Sequence, residues 1–144
     1  MSLREIIIEL LRRLNSIGVK RVSRTKIMKL LYLIDRECRE LLNRTCTGTR
    51  WILWWHGPFS RSVLDVLDDL EIQGIVETDV TDYYDYTIIE YSLMNPNYTI
   101  KIDNQIRKII YEVVKKWGKK ELKEILAYVY SLPEVKHANL GDEL

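Results

Sequence analysis

No lysine or arginine occurs between Arg61 and Lys101, and that gap holds nine acidic side chains: Asp65, Asp68, Asp69, Glu71, Glu77, Asp79, Asp82, Asp85 and Glu90. A surface built from this segment repels phosphate and meets either water or something basic. No apolar run approaches the roughly 18 residues of a membrane-spanning helix. The opening Met1-Ser2-Leu3-Arg4-Glu5 shows no h-region or cleavage site, so the expected chain is soluble, cytoplasmic and without membrane contact. Cysteine is scarce: Cys38 falls at an apolar helical position and Cys46 in the loop after it, an arrangement that argues for two reduced thiols rather than a disulfide framework. The two histidines, His56 and His137, lack the spacing to those cysteines that preorganises zinc, and an exposed helix face explains the aspartates better than a magnesium site. There is no glycine-rich phosphate loop and no nucleophile elbow around Ser60, so the expectation is a protein with no catalysis, metal or cofactor.

What is present is apolar substance and segregated charge. With 144 residues and 47% hydrophobic side chains, one domain of ordinary size can bury a real core. The formal net charge of +1 conceals a surplus of +8 over residues 1–61, −9 over 62–100 and +2 over 101–144. Such halves either close on each other or form two faces for different partners. The 30% charged residues and only two glutamines, Gln73 and Gln105, fit a thermophile's usage.

Leu3, Ile7, Leu10, Leu14 and Ile17 recur at helical spacing, with Ser2 and Glu5 as a capping box, and predict a first helix over about 3–17 that stops at Gly18. Ser23 caps a second, whose apolar face is Ile27, Leu30, Leu31, Ile34, Cys38, Leu41 and Leu42, with Lys29, Tyr32, Arg36 and Arg39 on the other side. Trp51 to Trp55 reads as a short strand ended by His56-Gly57-Pro58, and Ser60 then caps a helix from Arg61 to Gln73 that Gly74 terminates. A hairpin of Ile75–Val80 and Tyr86–Leu93 follows, connected through Asp82 to Asp85. Alternation in its first strand puts Val76 and Val80 toward the core, beside the third helix. Ile102 to Trp117 defines a fourth helix closed by Gly118, and Leu122 to Val129 a fifth ended before Pro133. The reading is an α+β fold, mostly helical, in the winged-helix-like order helix, helix, strand, helix, hairpin, helix, helix. It divides into a core over 1–100, a C-terminal helical pair over 101–132 and a loosely held tail over 133–144.

Thr25-Lys26-Ile27-Met28-Lys29-Leu30-Leu31-Tyr32-Leu33, followed some two dozen residues later by Trp55-His56-Gly57-Pro58-Phe59-Ser60 and a helix, resembles the Panacea domain of antitoxins and phage-associated proteins. The resemblance covers mainly residues 1–75, and Lys29, Tyr32, Gly57 and Pro58 are its distinctive positions. It implies a small protein that works by binding a protein partner, such as a toxin, with no chemistry of its own.

The expected partner-binding residues are Lys29, Tyr32, Arg36, Trp55, His56, Gly57, Pro58, Phe59 and Arg61. Turn chemistry explains Gly57, Pro58 and Ser60 without any ligand, whereas aromatics on a rigid turn also make low-entropy anchors. Lys29, Tyr32, Arg36 and Arg39 can be a solvated face, a docking face or one half of an internal pairing with the acidic segment. Tyr32 is expected half-buried near Pro58 with its hydroxyl on a polar group. Among Trp51, Trp54 and Trp55, which alternation keeps from sharing one side, Trp54 is expected to be buried. The alternative function is a winged-helix DNA-binding regulator, a homodimer through its last two helices. Its nucleic-acid binding would be weak and carried by the second helix and residues 20–26.

Overall fold

A computed structural model describes residues 3–144; the expected Ser2 cap lies outside them. The order is α1 (Leu3–Ser16), β1 (Val22–Ser23), α2 (Arg24–Leu42), β2 (Ile52–Trp54), β3 (Gly57–Phe59), α3 (Arg61–Ile72), β4 (Val76–Asp82), β5 (Thr87–Leu93), α4 (Asn104–Trp117), α5 (Leu122–Ser131) and α6 (Pro133–Lys136). The fold class is α+β: the helices build the core, one antiparallel sheet runs β1-β5-β4, and β2 and β3 form a separate hairpin.

Local chemistry sets the element ends. Ser23 Oγ accepts the Lys26 backbone N–H at 3.1 Å, Ser60 Oγ accepts that of Val63 at 3.4 Å, and Asp103 accepts that of Gln105 at 2.8 Å, each satisfying an orphan donor of a first helical turn. Gly74 has φ +73°, a left-handed conformation that glycine takes without a Cβ penalty, and the chain turns there from α3 into β4.

The centre of the molecule is α2. Every residue from Ile27 to Asp35 is buried, because α4, α5, β1, β3 and β5 all pack against this helix. A helix covered on all sides has no solvent face over that stretch. The expected exposure of Lys29 is therefore overturned, and Tyr32, expected half-buried, is buried outright: they are 2% and 1% exposed. Leu41, assigned to the apolar face, is exposed instead, since it lies in the last turn, beyond the covering elements.

The hairpin β4–β5 pairs from Val76 opposite Leu93 to Asp82 opposite Thr87. Val76 is buried, but Val80 is 58% exposed. Alternation gives both the same face, yet the far end of the ribbon runs past the core into water. A strand the sequence did not reveal, β1, extends this sheet through Val22 opposite Tyr91. Two residues are too short to carry a period.

Two further expectations fail near β2. Trp51 is buried at 2% exposure while Trp54 is 43% exposed, because Leu53 points inward and strand alternation then turns Trp54 out. The Gly-Pro segment does more than end β2: it is β3, with Leu53 opposite Pro58 and Trp54 opposite Gly57. The tail is not loosely held either. Leu53 N–H donates to Asp142 O, Gly141 N–H to Leu53 O and Leu144 N–H to Trp51 O, each at 2.8 Å, so the C-terminus occupies the free edge of β2.

Cys38 and Cys46 are joined in a disulfide, not two free thiols. The cause is local: the buried Asp35 carboxylate accepts the backbone N–H groups of Cys46 (2.9 Å) and Thr47 (3.0 Å). This folds the loop back onto α2, with the two cysteine Cα atoms 5.8 Å apart, within disulfide reach. Among the described residues no helix is long and apolar enough to cross a membrane.

Candidate functional site

The expected site residues fall into two clusters joined by α2. In the first, Lys29 reaches across to β3, where its ammonium donates to Pro58 O at 2.8 Å. Gly57 has φ +95°, and a Cβ there would come within 3.2 Å of Lys29 Cε, so glycine serves both the tight corner and the approach of the lysine. Burial without an acidic partner lowers the Lys29 pKa to about 8, because desolvation disfavours the charged form. Thr49 and Ser60 hydroxyls bond to each other below the hairpin.

The tip of that hairpin is aromatic. Trp54 and Trp55, 43% and 66% exposed, stand with ring centroids 5.8 Å apart, and His56 beside them is exposed. Tyr130 on α5 donates its hydroxyl to Trp55 O at 3.3 Å. Phe59 is half-buried, and Arg61 is exposed with its nearest carboxylate, Asp65, at 3.6 Å. Behind the tip lies a cleft of about 200 Å³, walled by Trp54, His56, Gly57 and Phe59 on the hairpin side and by Arg24, Met28 and Lys29 of α2 on the other.

The second cluster is a clamp between the ends of the domain. Tyr32 donates to Glu134 Oε2 at 2.6 Å, and Arg36 forks onto both oxygens of the same carboxylate at 2.6 and 3.2 Å. The Tyr32 ring also stands edge-on to Trp51, centroids 5.5 Å apart. Burial, reinforced by Glu134, raises the Tyr32 phenol well above its ordinary value. Burial also pushes the Glu134 carboxyl upward, but the hydrogen bonds from Arg36 and Tyr32 outweigh it and hold the group below the ordinary carboxylate value. A charged, bidentate pair with a phenol on the third position is a structural clasp, and it uses the Tyr32 hydroxyl and the Nε and Nη2 of Arg36 internally. Tyr32 therefore leaves the contact surface, while the Arg36 side chain stays 31% exposed.

Three residues outside the expected set matter. Trp54 belongs to the exposed tip. Asp35 holds Cys46, Thr47 and, through Oδ2 at 2.8 Å, the Trp51 indole N–H. Its signal was present, since an acid directly after Leu33-Ile34 in an apolar run needs buried partners. Glu134 gave no such signal: it meets α2 across a sequence separation of about one hundred residues, which no local spacing encodes.

No curated protein and no solved structure matches the chain. The family model described as antitoxin SocA-like, Panacea domain, matches residues 27–134. The match begins inside α2 and ends on the carboxylate that clasps it, and it runs past residue 75 through the acidic hairpin. With most of its length covered, the chain belongs to the SocA-like antitoxin, Panacea-domain family.

Proposed function

We propose that this protein is a non-catalytic module that binds a partner protein, in keeping with its antitoxin-like family, and that the tip of the β2–β3 hairpin is the contact. The observation that carries this is the pair Trp54 and Trp55, neighbouring and exposed on a backbone that cannot sag. Tryptophan is enriched among residues that dominate interface energies. The hairpin is already fixed by Lys29 on one strand and the C-terminus on the other, so docking orders little additional backbone. His56, Phe59 and Arg61 supply the rim; Gly57, Pro58 and Lys29 support it from below.

The DNA-binding alternative, expected on the second helix and residues 20–26, gains no support: Lys29 is buried and Lys26 is engaged with Gly118 O and Lys120 O. The outward side of α3 carries exposed Asp65, Asp68, Asp69 and Glu71, the wrong sign for phosphate. The homodimer expectation loses its motive as well, because the apolar faces of α4 and α5 are buried against the chain's own core.

A photocrosslinking amino acid placed at Trp55, and in a control at the exposed Tyr84 of the other hairpin, tests the reading in the native host. The expected result is one protein captured from position 55 and lost when Trp54→Ala is added, with melting temperature unchanged, since exposed substitutions usually shift stability by no more than about 0.5 kcal/mol. Capture from position 84 alone would move the contact to the acidic hairpin.

A further inference from the structure

The cleft behind the tryptophan tip has an unusual chemistry for its size. Lys29 lines it, 2% exposed, with its ammonium drawn against the Gly57–Pro58 backbone. An ammonium has three hydrogens to donate, and Pro58 O is the one acceptor found for Lys29 among the described residues. Arg24 adds a second cation on the same wall, its Nε and Nη2 at 3.0 and 2.7 Å from the Tyr91 hydroxyl, a neutral acceptor. His56 stands at the rim, and no residue lining the cleft is acidic. Met28, Trp54, Phe59 and Leu64 supply apolar walls. A buried cation is normally paired; among the described residues no carboxylate bonds to Lys29.

We infer that this cleft receives the side-chain carboxylate of a partner's aspartate or glutamate, inserted beside the tryptophans and anchored on Lys29 and Arg24. The inference rests on the proposed protein-binding role of the hairpin tip and specifies what the partner must present there. Volume separates a side chain from a cofactor: about 200 Å³ falls below the 300–1,000 Å³ or so of small-molecule sites. Charge separates the acids from other side chains, because only an anion uses both cations. An apolar residue next to the acid in the partner would meet Trp54 and Trp55.

The test is panning of the full-length chain against a phage-displayed random dodecapeptide library. The expected outcome is enrichment of sequences carrying Asp or Glu next to an apolar residue, which bind Lys29→Met at least about tenfold more weakly. Changing the peptide's acid to its amide should cost as much with the wild type and almost nothing further with Lys29→Met. As a measurement free of any folding defect, the ¹⁵N resonance of the Lys29 ammonium in the wild type should move with the acidic peptide and stay with its amide form. Enriched peptides without an acid, acidic peptides indifferent to Lys29→Met, or a stationary Lys29 resonance would each overturn the inference while leaving the tip as a contact. Acidic peptides that depend on Lys29 yet bind Trp54→Ala with Trp55→Ala at full strength would instead sink the tip reading and keep the cleft. A library from which nothing is enriched overturns the inference.

Discussion

Removing a charged amine from water costs more than one hydrogen bond returns, and the fold therefore feels the titration of Lys29. With its pKa lowered to about 8 from 10.5, the unfolded chain holds a proton that the folded chain has released across that window. Stability accordingly rises with pH between those values, by roughly 3 kcal/mol. Tyr32 acts in the opposite sense. Its phenol is raised above the ordinary 10.0, so beyond that pH the unfolded chain loses a proton the native state keeps, and stability falls again. Chemical denaturation from pH 7 to 11 should show this rise and fall, and Lys29→Met should remove the rise, keep the fall and be no less stable than wild type at pH 7. A wild-type profile flat from pH 8 to 10 would show that the ammonium is solvated. The caps Ser23 and Ser60 and the turn at Gly74 were legible in the sequence because each answers to neighbours within four residues. Lys29 and Tyr32 were not, since what buries them is α4, α5 and β3, elements that arrive later in the chain.

Among the elements, α1 to α5 and the acidic hairpin show in their periodicity, while β1, β3 and the C-terminal edge do not, being shorter than the periods that would reveal them. The loop between α2 and β2 and the C-terminal edge are held by cross-links. The Cys38–Cys46 bond closes a loop with a sequence separation of 8; restricting the unfolded chain over so short a span stabilises by roughly 2–3 kcal/mol in the loop-entropy account. Reduction with dithiothreitol, or Cys38→Ala with Cys46→Ala, should lower the melting temperature and increase acrylamide quenching of the Trp51 indole, whose acceptor Asp35 also holds that loop. An unchanged melting curve after complete reduction would mean that Asp35 alone fixes the loop. Deleting residues 140–144 removes three backbone hydrogen bonds from Trp51 and Leu53, for a loss of about 2 kcal/mol. Hydrogen exchange at Leu53 N–H, which donates to Asp142, should then quicken while that of β4 and β5 stays as it was.

Across the molecule, the segregated charge resolves into faces more than into internal pairs. Arg21 meets Asp79 at 3.0 Å and Arg24 meets Tyr91, both at the base of the acidic hairpin. The remaining acids of α3 and the hairpin stay outward. The basic side gathers elsewhere. Lys26 donates to Gly118 O and Lys120 O, which sets residues 20–26 beside the end of α4, where Lys115, Lys116, Lys119 and Lys120 rim an open groove with Arg13. A polyanion meeting this chain is steered to that end and away from α3, and because exposed charges supply the attraction it is screened by salt. On heparin the protein should be retained at low ionic strength and released at salt on the order of 0.2 M. Lys115→Glu with Lys119→Glu and Lys120→Glu should abolish retention, whereas Asp65→Asn with Asp68→Asn and Asp69→Asn should leave it or strengthen it slightly. Photocapture from position 55 should survive the lysine changes, since the tryptophan tip lies on separate elements, β2 and the turn after it. Tight binding to one defined duplex at physiological salt, lost on altering α3, would place a DNA-reading role on that helix instead.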